Sequence, residues 1–432
     1  MVRGKCCERE FICDTSKKEV IKIIAVLSIL RGGKMYVDLF AGCGGLSYGL
    51  YNAGWHGLFA VEKNKDAFAT LKYNLIDSRE HFNWPHWLEK DCIDINDLIV
   101  EHRKELENLR GTVELVVGGP PCQGFSMAGK RKGTDIRNRL YNAYIEFVSL
   151  VQPQMLFFEN VHGFTVAFKR KYKGKEIKGI PYSEKLVKAL KKLGYDVAYK
   201  ELIMSDYGIP QKRKRFILFA IRNGCATDFF EKLEKNKENF LKQKKLYLQV
   251  NVSEAIGDLL QEYGEVKSQD SPNFMNGVYG PVNSSYQRYM RRNILAGSVP
   301  NSHRFAKPKS ETKKLFASLM AASEEAIRIT PKMNLVDGLK KRGVTPLKSN
   351  CICPTITSIP DDFIHYKEPR IMTVRECARI QSFTDDYIFL GNYTTGGSKR
   401  KTEVPRYTQV ANAVPPLFAE QVGVVLRSMR DG

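Results

Sequence analysis

Tyr36-Val37-Asp38-Leu39-Phe40-Ala41-Gly42-Cys43-Gly44-Gly45 opens with a short apolar run and ends in a glycine-rich turn. The segment that follows, Leu46 to Ala53, has a helical texture. Strand, glycine turn and helix in that order let the backbone approach a ligand closely, because glycine carries no side chain and tolerates left-handed conformations. The pattern then recurs. Leu58-Phe59-Ala60-Val61 reads as a strand ending on Glu62, with a helix-like stretch through Asn74 behind it. Val113 to Val117 is a third strand, running into Gly118-Gly119-Pro120-Pro121, and Met155 to Phe158 is a fourth, ending at Glu159. Strands separated by helical segments need crossover connections, so the expected class is α/β with a mostly parallel sheet. The residues able to do chemistry fall just past the strand ends, where open α/β sheets bind ligands.

Each of those residues has a plain reading and a chemical one. Alone, Glu62 is a surface carboxylate starting a helix; at a strand end beside a glycine loop, it can accept from both ribose hydroxyls of an adenosine-containing cofactor. Asp91, in Lys90-Asp91-Cys92-Ile93, can accept from an adenine amino group. A lone cysteine is more often a small buried hydrophobe than a nucleophile. Cys122, however, follows two prolines that stiffen its loop and two glycines that allow a tight turn out of the strand. Arg213 and Arg215, in Gln211-Lys212-Arg213-Lys214-Arg215, can lower a thiolate's pKa or bind a base carbonyl, and otherwise read as a basic surface patch.

Composition narrows the partners. The 432-residue chain carries 68 Lys+Arg against 47 Asp+Glu, a net charge of +21, with 43% hydrophobic and 27% charged residues. That is a globular composition with a strong excess of positive charge, which suits a polyanionic partner whose condensed counterions are released on binding. Charge alone does not separate DNA from RNA or from an anionic membrane surface. The most apolar stretch, Val20 to Leu30, is interrupted by Lys22 and falls short of the roughly 20 residues of a spanning helix. No small-residue cleavage site follows it, so it is expected to be a short amphipathic helix packed on the main domain. The ten cysteines are scattered; the Cys6, Cys7 and Cys13 cluster and the Cys351, Cys353 pair lack closed zinc-site spacing and read as structural thiols, with no metal. From about Cys225 to Tyr366 the chain is rich in Lys, Asn, Ser and Gly. It has basic runs (Lys242 to Lys245, Arg288 to Arg292) and interleaved Phe274, Tyr279, Tyr286 and Tyr289. Its periodicity is poor, and it reads as a second, irregular domain.

In this order, the motifs resemble those of the bacterial cytosine-5 DNA methyltransferases of restriction-modification type, collinearly from Tyr36 to about Gly423. The resemblance extends to Glu159-Asn160-Val161, to Arg375 through Phe383, to Gln409 through Pro416, and to a segment containing Asp135, Arg137 and Leu140. It implies a Rossmann-like S-adenosylmethionine-dependent domain with a smaller, irregular target recognition domain. The implied division is an N-terminal extension of unassigned role (1–34), a catalytic and cofactor-binding domain (35–224 with 405–432), and a target recognition domain (225–404). The implied catalytic set is Cys122 as nucleophile, Glu159, Arg213 and Arg215. The implied cofactor residues are Phe40, Ala41, Gly42, Cys43, Gly44, Gly45, Glu62, Asp91, Cys92, Pro120, Leu140, Asn412, Ala413 and Val414. The implied DNA contacts are Gln123, Ser126, Arg131, Arg137 and Gln211. S-adenosyl-L-methionine would be converted to S-adenosyl-L-homocysteine, with no metal. The expected partner is double-stranded DNA. The expected setting is a monomer in the bacterial cytosol, associated with the nucleoid, with any cognate restriction endonuclease acting separately and no membrane involved. The rival readings are an RNA (tRNA) cytosine-5 methyltransferase and an inactive DNA-binding regulator; the long 225–366 segment favours duplex DNA.

Overall fold

The computed structural model describes residues 35–121, 136–167, 169–172, 175–339, 343–396 and 402–430. The extension 1–34, with its expected helix, and Cys122, Gln123, Ser126, Arg131 and Asp135 lie outside the described residues, as does the Arg137 side chain.

A mixed sheet of six strands organises the fold: β1 (Met35–Leu39), β2 (His56–Val61), β3 (Leu115–Gly118), β4 (Met155–Val161), β5 (Asp196–Ile203) and β6 (Lys214–Ile221), in the order β2-β1-β3-β4-β6-β5. Strands β1 to β4 are mutually parallel where they pair, whereas β6 runs antiparallel to both β4 and β5. Helices cover both faces: α1 (Gly45–Asn52), α2 (Lys65–Leu71), α3 (Ile136–Val151), α4 (Tyr182–Lys192), α5 (Thr227–Gln243), α6 (Val374–Ile380), α7 (Arg406–Asn412) and α8 (Pro416–Arg430). Alternation within the strands feeds two cores. Met155 and Phe157 pack with α1, α5 and α8, while Leu156 and Phe158 pack with α3 and α4. Burial on both faces is why these strands read as near-continuous apolar runs.

One expectation is corrected. The chain after Arg222 is not uniformly irregular, because α5 runs for 17 residues and buries Phe229, Phe230, Leu233, Phe240 and Leu241. Those positions have helical spacing, which dense Lys and Glu on the outer face obscure. The core is also continuous across 224/225 and 404/405. It contains α5 side chains, Tyr286, Leu347, Cys353, Ile356 and the apolar residues of α6, while Phe316, Leu319, Ile329, Val344 and Ile364 form a small separate cluster.

Every residue of α6 is buried, including its two arginines and its glutamate. Arg379 pairs with Asp258 through both guanidinium tips and with Asp385 at 2.7 Å. Arg370 forks onto Glu376 at 2.7 and 2.9 Å. Arg375 donates to the carbonyls of Asn301, Thr384 and Tyr387 at 2.9, 3.2 and 2.7 Å. Stripping one partner from such a buried network strands a charge, at roughly 3–5 kcal/mol. The aromatics of the basic region serve the same junction. Tyr279 donates to Asp385 (2.9 Å), Tyr286 to the Arg379 carbonyl (2.7 Å) and Tyr289 to Glu420 (3.3 Å).

Candidate active site

At the carboxyl end of β1 the chain turns through positive φ at Phe40 (59°), Gly42 (58°) and Gly44 (88°). The turn is clasped by Glu62 at the end of β2. Its two carboxylate oxygens accept from the backbone N–H groups of Gly42 (2.9 Å) and Asn64 (2.8 Å). Burial pushes the Glu62 carboxyl above the usual range, and those two backbone donors oppose the shift. The Ile93 N–H donates to the Glu62 carbonyl at 2.9 Å, which holds exposed Asp91 and half-buried Cys92 beside it. A side chain on Gly42 would meet nothing within 4 Å, so the loop faces open space.

The other side of this loop is roofed by the far end of the chain. A Cβ on Gly45 would lie 2.5 Å from the Val414 carbonyl oxygen and 3.1 Å from the Ala413 Cβ, and one on Gly49 would lie 2.3 Å from the Ala419 Cβ. The glycine face of α1 therefore lies directly on the entry to α8. Tyr387 donates to the Cys43 carbonyl at 2.5 Å, and the Cys43 thiol points at the Gln409 carbonyl, 3.5 Å away. Burial pushes that thiol up to about 12, so Cys43 shapes the loop as a neutral, internal group. Gln409 in turn accepts from Thr70 (2.7 Å) and donates to the carbonyls of Leu390 and Val404 (both 3.0 Å). Asn412 stands exposed at the end of α7, with half-buried Ala413 and Val414 next to it. Leu140, on α3, is half-buried against the second core.

The root of the Pro-Pro loop threads between two strand ends. Gly118 has φ of 102°, and a Cβ there would sit 1.9 Å from the Leu39 carbonyl oxygen. One on Gly119 would sit 2.4 Å from the Glu159 carbonyl oxygen. No other residue fits this passage. The Asn160 side-chain amide donates to the buried Pro120 carbonyl at 3.0 Å, tying the loop to β4 two residues before Cys122.

Glu159 and Arg215 meet at the same end of the sheet, with Arg215 Nε 2.8 Å from Glu159 Oε1. Val161 is the register partner of Arg215 and Glu159 that of Ile217, so the pair is a diagonal neighbour on one face of the β4–β6 ladder. Both side chains are largely buried, Glu159 16% and Arg215 10% exposed. Arg213 goes elsewhere. It is buried and donates to the Ala411 carbonyl at 2.8 Å and the Ala413 carbonyl at 3.4 Å, next to the chain that roofs the glycine loop. Gln211 is wholly buried, hydrogen-bonded to Gln381 (2.5 Å) and to the Ile356 N–H (3.1 Å). Asn160, Gln381 and Gln409 are positioning groups that sequence reading left without roles; the available signal was an amide inside each apolar motif.

With this constellation in place, the comparisons are direct: residues 35–427 match the family described as C-5 cytosine-specific DNA methylase. The chain belongs to that family. It is therefore a DNA cytosine-5 methyltransferase, a transferase. It is 32% identical over 402 residues to the type II methyltransferase M.DdeI of Desulfomicrobium norvegicum, spanning 89% of this chain and 86% of that protein. It is 27% identical over 417 residues to the type II methyltransferase M.XorII of Xanthomonas oryzae pv. oryzae, spanning 91% and 85%. Among solved structures, a prophage-encoded E. coli protein, provisionally named a DNA modification methyltransferase, superposes with a TM-score of 0.61 at 23% identity. The match covers 92% of this methyltransferase and 99% of that chain. That likeness supports the shared α/β architecture.

Among the described residues of this methyltransferase, no helix is long and apolar enough to cross a membrane.

Proposed function

We propose that the enzyme methylates C5 of a cytosine flipped out of a specific duplex DNA sequence, through a transient covalent bond between Cys122 and C6. The observation that carries this reading is the Glu159–Arg215 pair beside the loop root that Asn160 anchors. Glu159 hydrogen-bonds or protonates N3, and Arg215 holds the O2 edge while fixing the carboxylate. The Cys122 thiolate adds to C6, and the electron pair of the C5–C6 double bond moves to C5 and, through the conjugated C4–N3 double bond, onto N3, where Glu159 supplies the proton. After methylation at C5, loss of the C5 proton and departure of the Cys122 sulfur restore the aromatic ring. The flip is required because a stacked base is closed to attack from above its plane.

The residues present fit S-adenosylmethionine. The space above Gly42 is open, the Glu62 carboxylate retains lone pairs for ribose hydroxyls, and Asp91 is exposed next to it. When bound, that group supplies an electrophilic methyl on a sulfonium. Phe40 to Gly45, Glu62, Asp91, Cys92, Pro120, Leu140 and Asn412 to Val414 would hold it. Target recognition is assigned to residues 225–404, with Gln123, Ser126, Arg131, Arg137 and Gln211 as the DNA contacts. In this reading the enzyme acts as a monomer in the bacterial cytosol, and any cognate endonuclease is a separate protein.

Cys122→Ser tests the proposal. It should bind duplex DNA as the wild type does, transfer no methyl group, and form no covalent adduct with 5-fluorocytosine DNA. Methylation at the wild-type level in that variant overturns the mechanism, and label transferred only to tRNA overturns the substrate.

A further inference from the structure

A short parallel pairing joins Cys353 and Pro354 to Gln211 and Lys212, just ahead of β6. Next to it, Thr355 Oγ1 donates to the Lys212 carbonyl at 2.7 Å. Two residues on, exposed Thr357 donates to Asp362 Oδ2 at 2.7 Å, and the Asp362 N–H donates to the Ile359 carbonyl at 3.1 Å. The other carboxylate oxygen, Oδ1, lies 3.1 Å from Arg328 Nη2. The Asp362 side chain is 15% exposed and that of Arg328 43%. The acid is thus sheltered and fixed, while the guanidinium it holds faces solvent.

The stem of Arg328 is fixed as well. Ile329 and Val344 exchange both backbone hydrogen bonds, at 2.8 and 2.9 Å, which lays Gly343 against the Arg328 side chain. A Cβ on Gly343 would lie 3.0 Å from Arg328 Nε and 3.2 Å from its Cγ, an approach that glycine permits. Among the described arginines of 225–404, Arg328 alone combines an exposed side chain with a carboxylate partner. Arg370, Arg375 and Arg379 are buried, and exposed Arg292 rests on the Tyr289 ring. Exposed ion pairs contribute little to stability, and holding a long side chain still costs entropy. Folding alone therefore does not explain this fixing. A rigid guanidinium fork is what bidentate recognition of a base requires. Ile359, 53% exposed in the same turn, adds apolar surface of the kind that base edges cover.

We propose that Arg328 reads a guanine of the target duplex, forking onto O6 and N7 in the major groove, and that Asp362 is its positioning residue. The inference rests on the proposed recognition of duplex DNA by residues 225–404. The steps from Arg215 to Lys212 and from Thr355 to Thr357 span at most about 10 and 7 Å of chain. That places Thr357 within the length of a short duplex site, where each base pair rises about 3.4 Å.

The test supplies purified full-length enzyme with S-adenosylmethionine and a pool of randomised duplexes, and reads methylated positions with their contexts by bisulfite sequencing. The wild type should require guanine at one or more positions. Arg328→Ala should relax one of them, with preference for guanine there falling about 5- to 150-fold and the other positions still discriminated. Arg328→Lys should restore that preference only in part, since an ammonium cannot fork onto two acceptors. Asp362→Asn should blunt the same position and no other. Both Arg328→Ala and Asp362→Asn should melt near the wild-type temperature. Arg292→Ala, which removes an exposed arginine without a carboxylate partner, should leave the preference intact. Uniform loss of methylation across all sequences in Arg328→Ala overturns the assignment, as does relaxation at a base other than guanine or an unaltered site. A profile in Arg292→Ala like that of Arg328→Ala overturns it too, and an unaltered site in Asp362→Asn overturns the role of Asp362. A wild type that methylates no duplex in the pool overturns the functional reading itself, which an active wild type with an indifferent Arg328 leaves standing.

Discussion

Arg215 reaches Glu159 diagonally across the β4–β6 ladder at 2.8 Å, whereas Arg213, two residues earlier, reaches the Ala411 and Ala413 carbonyls. One short motif thus reaches two places, the Glu159 carboxylate and the chain that roofs the glycine loop.

Glu159→Gln keeps the shape and removes the charge and proton capacity. Its kcat/KM should fall about 10²- to 10⁴-fold in a labelled-methyl transfer assay, with DNA affinity little changed. Arg215→Ala should lose about 10²-fold or more, because it removes a donor to the base and leaves the Glu159 carboxylate unpaired. Near-normal turnover in either variant would contradict the assignment.

Arg213→Ala should separate from Arg215→Ala. With the Ala411 and Ala413 carbonyls released, calorimetric binding of S-adenosylhomocysteine should weaken about 10-fold, equivalent to about 1.4 kcal/mol, while duplex affinity stays near wild type. Unchanged cofactor affinity with depressed turnover would return Arg213 to the base-binding group.

Gly49→Ala tests the fit of α1 on α8, because its Cβ would lie 2.3 Å from Ala419 Cβ and 2.5 Å from the Pro416 carbonyl oxygen. Overpacking of this kind costs about 1–3 kcal/mol, read as a lower melting temperature. Gly54→Ala, facing only the Arg427 guanidinium but at φ of 76°, should cost less.

Asp38 makes stability depend on pH. Burial, with a smaller contribution from the charge on Glu62, raises its carboxyl to about 7, against the hydrogen bond from Ser47 at 2.5 Å. Between the unfolded value near 4 and the folded value near 7, the native state holds a proton that the unfolded chain has lost. Stability from this group is therefore full below the unfolded value and declines as pH rises through the folded one, by an order of a few kcal/mol. Asp38→Asn should flatten the melting temperature between pH 4 and pH 7. An unchanged pH profile in that variant would place the dependence elsewhere.

The sequence alone determined the class of fold and the chemistry, because both are written in local runs. Apolar strands ending in Gly42 to Gly45, Glu62, Gly118 to Pro121 and Glu159 state their own backbone needs through glycine, proline and strand period. Only the tertiary structure decided how the motifs divide their work. Gln211 and Arg213 sit at a break in the strand, where Gln211 N–H bonds the Ile209 carbonyl (2.7 Å) and Arg213 N–H bonds that of Gln211 (2.9 Å). That tight turning interrupts the alternation which would have placed Arg213 on the same face as Arg215. The roof over the cofactor loop, the burial of Gln211 and the internal arginines of α6 join residues as far apart as Cys43 and Gln409, 366 positions along the chain. Local periodicity is silent at that range, since such contacts are chosen by packing and by the need to pair every buried polar group.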